Sequence, residues 1–193
     1  MSRPPATLPA PILPPVTLVL GGARSGKSRY GEALVRSVGP GLYLATAEAG
    51  DAEMAERIRH HQDRRGAGWE TVEEPLALAE ALSRHAAPGR PILVDCLTLW
   101  LSNLMAANRD PVAETQALAT ALRGLAGPVV LVSNEVGLGL VPTTPLGRAF
   151  RDEAGRLNQA IAAVADRAVF MVAGLPLVLK EPGRDTLQMP VGS

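Results

Sequence analysis

The stretch Gly21-Gly22-Ala23-Arg24-Ser25-Gly26-Lys27-Ser28 constrains this chain more than any other. It follows the apolar run Val16-Thr17-Leu18-Val19-Leu20 and opens into a segment, Ser28 to Val38, that reads as a helix. The spacing G-x-x-x-x-G-K-S between a strand and a helix is that of a phosphate-binding loop. Glycines let the backbone turn tightly, so that successive N–H groups converge on phosphate oxygens, and the positive end of the helix dipole adds to the attraction. In such a loop Lys27 reaches the β- and γ-phosphates and the Ser28 hydroxyl ligates Mg²⁺. Lys27 and Lys180 are the only lysines in a chain that uses arginine freely elsewhere. A compact ammonium at Lys27 suits a phosphate cradle.

The rest of the chain reads as one domain around that loop. Residues 1–15 contain six prolines and show neither helical nor strand periodicity, so they read as a flexible tail. Apolar runs at Val16–Leu20, Leu42–Thr46, Pro91–Asp95, Val129–Ser133 and Ala168–Val172 read as five buried strands. Trp69 to Pro75 reads as extended, and Leu177 to Leu179 as a short edge strand. Helices are expected at Ser28–Val38, from Asp51 through Met54, Ile58 and His61, at Leu76–His85, Leu97–Ala107, Val112–Leu125 and Leu146–Ala165. Such alternation predicts an α/β fold of the P-loop NTPase type over residues 16–180, with a mostly parallel sheet and helices on both faces. Residues 181–193 read as a polar tail. The 19 basic and 19 acidic residues balance and no basic block stands out, which argues against a nucleic-acid surface. A single cysteine, Cys96, excludes an internal disulfide, and no apolar span is long enough for a membrane, so a cytoplasmic location is expected.

Other residues carry candidate chemistry. Asp95 closes an apolar strand, where an acid holds Mg²⁺ in phosphate-loop proteins or, alternatively, serves as a helix cap or solvent carboxylate. At about 100° per residue, His61 falls within roughly 20° of Met54 and 60° of Ile58 on an inward stripe, whereas His60 turns about 120° away from Met54. An inward imidazole either hydrogen-bonds within the core or faces a cleft, and Arg57, Arg64 and Arg65 nearby suit an anionic, phosphate-bearing substrate. Glu73 and Glu74 could read the ring N–H and amine of guanine, but on the residues alone they read as a solvated acidic pair ahead of a helix. Asn134, Glu135 and Gly137 follow the fourth buried strand, at the end of an open sheet where ligands bind. The helix holding Leu97, Trp100, Leu101, Leu104 and Met105 is apolar nearly all round, hence central core or a subunit contact. A simple small-molecule kinase would account for the loop and Asp95 but leaves His61 without a task. A nucleotide switch is disfavoured because the guanine-reading N-K-x-D motif is missing from the sequence.

The segments GGARSGKS, YLATA, RIRHHQDRR with WETVEEP, ILVDCLT and VLVSNEVG together resemble the bifunctional adenosylcobinamide kinase / adenosylcobinamide-phosphate guanylyltransferases, from about Thr17 to Lys180. The resemblance implies two reactions of coenzyme B12 assembly. A nucleoside triphosphate, ATP or GTP, phosphorylates the aminopropanol hydroxyl of adenosylcobinamide, and GMP is then transferred from GTP to adenosylcobinamide phosphate. It implies that His61 is the histidine that becomes guanylylated. It places nucleotide contacts at Gly21 through Ser28, at Thr46, Ala47 and Glu48, at Gln62, Asp63, Arg64 and Arg65, at Glu73 and at Asp95. A homotrimer is also implied. The chain departs from the family pattern at Ala47 and Glu48, where polar uncharged residues are common, and at Arg64, where a small residue often sits.

Overall fold

The computed structural model describes residues 13–47 and 68–183. Among these, seven strands form one sheet: β1 (Val16–Gly21), β2 (Gly41–Ala45), β3 (Trp69–Glu73), β4 (Ile92–Asp95), β5 (Val129–Asn134), β6 (Arg167–Val172) and β7 (Leu175–Lys180). Five helices connect them: α1 (Lys27–Arg36), α2 (Leu78–His85), α3 (Leu97–Ala106), α4 (Pro111–Leu122) and α5 (Pro145–Val164). The sheet order is β3-β2-β4-β5-β1-β6-β7. All neighbours run parallel except β6 and β7, which form an antiparallel hairpin. The chain leaves β1 for β2 on one side and later passes back over β1 to reach β6. The carboxyl end of β1 is therefore the point where connections diverge, the usual ligand crevice of an open α/β sheet.

The central strands are apolar on both faces because both faces are covered. Alternate residues enter separate cores. Leu18, Leu20, Leu44, Val94 and Leu131 pack with Leu82, Trp100, Leu104, Leu118 and Ile161 from helices α2 to α5. Val19, Leu93, Val130 and Val132 pack with Val35 of α1 on the opposite side. Helices thus cover both faces, four on one and α1 on the other among the described residues. The apolar helix α3 resolves to core: Leu97, Trp100, Leu101 and Leu104 are buried within the chain, and the Trp100 indole N–H donates to Leu76 O at 2.9 Å.

Differences from the sequence expectation have local causes. The extended segment after Gly68 joins the sheet as edge strand β3, with Ala45 opposite Glu73. Only Trp69 and Val72 are half-buried there, on opposite faces of the strand, too sparse a pattern to read as a buried strand. Helix α2 begins at Leu78 rather than Leu76, because the Glu74 carboxylate accepts the N–H groups of Leu76 and Ala77 at 3.1 and 2.8 Å. Helix α4 ends at Leu122 rather than Leu125, closing in tight turns from Arg123 N–H to Thr120 O and from Gly124 N–H to Ala121 O. Strand β7 is longer than the three residues expected. Leu13 packs against the second core and Pro15 O accepts from Val129 N–H, so contact with the body begins by Leu13. The expected helix through Met54, Ile58 and His61, residues 1–12 of the expected tail, and residues 184–193 lie outside the described residues.

Candidate active site

The phosphate-loop segment folds as its glycines dictate. Gly26 adopts φ 96° and caps α1, leaving the N–H groups of the helix's first turn without intrahelical acceptors. At Gly21 a side chain would meet Met171 O at 2.7 Å, so β6 presses directly on the start of the loop. The loop is held from both sides: Glu135 N–H donates to Gly21 O at 3.1 Å and Gly174 N–H donates to Ser25 O at 3.1 Å. The buried Ser25 hydroxyl has no hydrogen-bond partner among the described residues. A cleft of about 600 Å³ is lined by residues 24–29 together with Ala173 and Gly174.

Lys27 is 8% exposed and its ammonium donates to Gly22 O at 2.8 Å, lying across the loop. Burial lowers its pKa below the ordinary lysine value, opposed by the nearby Cys96 and Asp95. Phosphate oxygens would add to the negative charge beside this desolvated cation and favour its charged form.

Asp95 lies at the carboxyl end of β4, opposite Ala45 of β2 and Val132 of β5. The Tyr43 hydroxyl donates to its Oδ2 at 3.1 Å. The peptide from Asp95 to Cys96 is cis. Thr46 stitches this turn: its hydroxyl donates to Cys96 O at 2.8 Å and accepts from Cys96 N–H at 2.9 Å. Its own carbonyl accepts from Asn103 Nδ2 at 2.7 Å. Thr46 is fully buried, so it acts on the site by holding Asp95 rather than by presenting a free hydroxyl. Burial, with Asp95 adding to it, pushes the Cys96 thiol up to about 11, so it stays neutral at pH 7.

One row of strand ends therefore carries the sequence candidates. Glu73, Ala45, Asp95, Asn134 and Gly21 close β3, β2, β4, β5 and β1 along a single edge. Ser28 lines the cleft beside Lys27, Glu73 is exposed, and Ala47 is half-buried. Glu74 is half-buried and its carboxylate accepts from Leu76 and Ala77 N–H, so it caps the chain ahead of α2 rather than standing solvated as expected on the residues alone. His60, His61, Gln62, Asp63, Arg64, Arg65 and Glu48 lie outside the described residues.

Sequence reasoning missed a polar network behind β5. Ser133 Oγ donates to Asn158 Oδ1 at 2.7 Å, while Asn158 Nδ2 donates to Glu135 Oε1 at 3.0 Å and to Asn134 O at 3.2 Å. Thr98 Oγ1 accepts from Asn134 N–H at 2.8 Å. The network fixes the turn that hooks onto Gly21. Its signal was a single asparagine between Leu157 and Ile161 on the buried stripe of α5.

The family model described as cobinamide kinase / cobinamide phosphate guanyltransferase matches residues 17–179. A bifunctional adenosylcobalamin biosynthesis protein CobP from Pseudomonas aeruginosa is 54% identical, covering 84% of this chain and 96% of that protein. The corresponding CobU of Salmonella typhimurium is 43% identical over 84% of this chain and 98% of its own length. A solved structure from Pyrococcus horikoshii OT3 aligns with TM-score 0.53 and 8% identity over 88% of both chains, a likeness of fold.

Proposed function

We propose, from the premise that this chain belongs to the cobinamide kinase / cobinamide phosphate guanyltransferase family, that it performs both reactions on adenosylcobinamide. The single structural observation that carries the reading is the placement of Lys27 and Asp95 around one crevice at the carboxyl edge of the sheet. In the first reaction the loop N–H groups and Lys27 bind the triphosphate and stabilise charge on the transferring γ-phosphoryl group. The aminopropanol hydroxyl of the corrinoid attacks that phosphorus, and the nucleoside diphosphate leaves. Ser28 and Asp95 would hold Mg²⁺ together with nucleotide phosphates. The donor set fits this ion, which binds through one or two carboxylates plus substrate oxygens rather than an all-protein cage. When bound, the ion neutralises the phosphate charge.

In the second reaction His61 acts as nucleophile. Its neutral imidazole forms a bond to the α-phosphorus of GTP as the bond to pyrophosphate breaks. The phosphate oxygen of adenosylcobinamide phosphate then displaces the histidine and yields adenosylcobinamide-GDP. Gln62, Asp63, Arg64 and Arg65 would adjoin the nucleotide, the arginines balancing phosphate charge and favouring the deprotonated imidazole. Glu73, exposed at a strand end on the same edge, is available to read guanine. Thr46, Ala47 and Glu48 would form the nearby wall. We assign the protein to the cytoplasm as a homotrimer. Among the described residues no helix is long and apolar enough to cross a membrane. The exposed Leu138, Leu140, Val141 and Leu146 offer an apolar surface for a second copy.

Mass spectrometry of the corrinoid tests the assignment. With ATP alone adenosylcobinamide should gain one phosphoryl group, and with GTP added it should gain GMP as pyrophosphate appears. Phosphorylation without GMP addition would reduce the protein to a kinase, and neither product would refute both activities.

A further inference from the structure

We propose that Tyr43 is a positioning residue for magnesium: its phenolic O–H sets the Asp95 carboxylate in the orientation that takes up the ion. The inference rests on the assignment of Asp95 to Mg²⁺ and adds the residue that orients this ligand. Strand alternation brings the two together. Tyr43 and Ala45 of β2 share one face of the sheet with Leu93 and Asp95 of β4, Tyr43 pairing with Leu93 and Ala45 with Asp95. Ala45 carries only a methyl group opposite the carboxylate. Tyr43, two residues earlier on the same face, leans past it towards the strand end and donates to Asp95 Oδ2 at 3.1 Å.

The phenol is held by packing. Tyr43 is 6% exposed and belongs to the second core, whereas Asp95 is half-buried. Trp69 of β3 meets the Tyr43 ring edge-on, with centroids 6.1 Å apart and planes at 86°. Trp69 pairs with Gly41 of β2, where an added Cβ would come within 3.2 Å of Trp69 Cζ3. The glycine therefore lets the indole lie over β2 and reach Tyr43. Trp69, Tyr43 and Asp95 form one row that crosses three strands on a single face.

Such support suits Mg²⁺ in particular. The ion demands near-octahedral geometry, so the direction of a ligand counts as well as its charge. A carboxylate offers about four acceptor sites, so one phenolic O–H fixes its plane without saturating it. Hydrogen-bond partners of a ligating carboxylate typically contribute about 10–100-fold to metal affinity. Thr46 holds the backbone of the same turn through Cys96. Strand β2 thus fixes Asp95 twice, by main chain and by side chain.

Calorimetric titration with ATP in excess Mg²⁺, and again in EDTA, gives the contribution of the ion as the ratio of the two affinities. Tyr43→Phe keeps the ring against Trp69 and removes only the O–H. It should cut that ratio about tenfold while affinity in EDTA stays within about twofold of wild type. The free Mg²⁺ needed for half-maximal kinase turnover should rise in step. A lowered melting temperature with an unchanged ratio would make Tyr43 purely structural and overturn the proposal. So would equal weakening in Mg²⁺ and in EDTA. Asp95→Asn is the control for the parent reading: it should cut the ratio at least as far, and adding Tyr43→Phe to it should do nothing more. A further fall in the double variant would show that Tyr43 acts through another group, overturning the proposal alone. A ratio that survives in Asp95→Asn, or is absent from wild type, would remove Asp95 from the ion and take the proposal with it.

Discussion

At the residue scale, Lys27 and Cys96 behave oppositely although both are buried beside Asp95. Lys27 is a desolvated cation aimed across a phosphate loop, so Lys27→Ala should cut kinase turnover by more than about a hundredfold. The far-ultraviolet spectrum should be retained, since Lys27 belongs to the loop and to neither apolar core; activity within tenfold of wild type would contradict the role. Cys96 is a core thiol raised to about 11 from an ordinary 9.0. The folded state keeps this proton longer than the unfolded chain, so its stabilising effect is whole below pH 9.0 and fades as pH rises towards 11. Lys27, with its lowered pKa, works in the other direction, so Cys96→Ala is the informative comparison. Between pH 8 and 10.5 the variant's urea midpoint should fall less than that of wild type, and iodoacetamide should leave native Cys96 unmodified at pH 8.

At the element scale, the phosphate loop is positioned by neighbours remote in sequence. Strand β6 presses on Gly21, the β6–β7 turn holds Ser25, and the turn after β5 holds Gly21 O. Removing Asn158 from α5 should loosen the last of these. Asn158→Leu leaves the Ser133 hydroxyl and the Glu135 carboxylate without their partner, which should cost about 1–3 kcal/mol. A depressed melting temperature together with a raised KM for nucleotide would show both effects; an unchanged KM would leave Asn158 purely structural. The loop itself was legible because glycine spacing and the lysine are local facts, and the central strands because burial on both faces gives continuous apolar runs. Strand β3 was read only as extended, since an edge strand with one half-buried apolar residue on each face has little hydrophobic pattern. The ties to Glu135 and Gly174 were illegible, being backbone hydrogen bonds between segments far apart in the sequence. Thr46 illustrates a subtler gap: its position beside the site was expected from resemblance, but its hydroxyl is occupied by both backbone groups of Cys96.

At the scale of the whole molecule, two phosphorus reactions share one chain because their needs differ. Phosphoryl transfer requires positioned cations and backbone donors, which the carboxyl edge of the sheet gathers at Gly21, Lys27 and Asp95. Guanylyl transfer through the protein requires in addition a nucleophile, and His61 is the residue assigned that task. The direct measurement is labelling with GTP radioactive at the α-phosphate, followed by peptide mapping. Label should reside on His61, be released by mild acid and resist base, as a phosphoramidate does. It should be absent from His61→Ala, which keeps substantial phosphorylation of adenosylcobinamide, and present in His60→Ala. GMP found on His60 or Lys27, or label persisting in His61→Ala, would contradict the account.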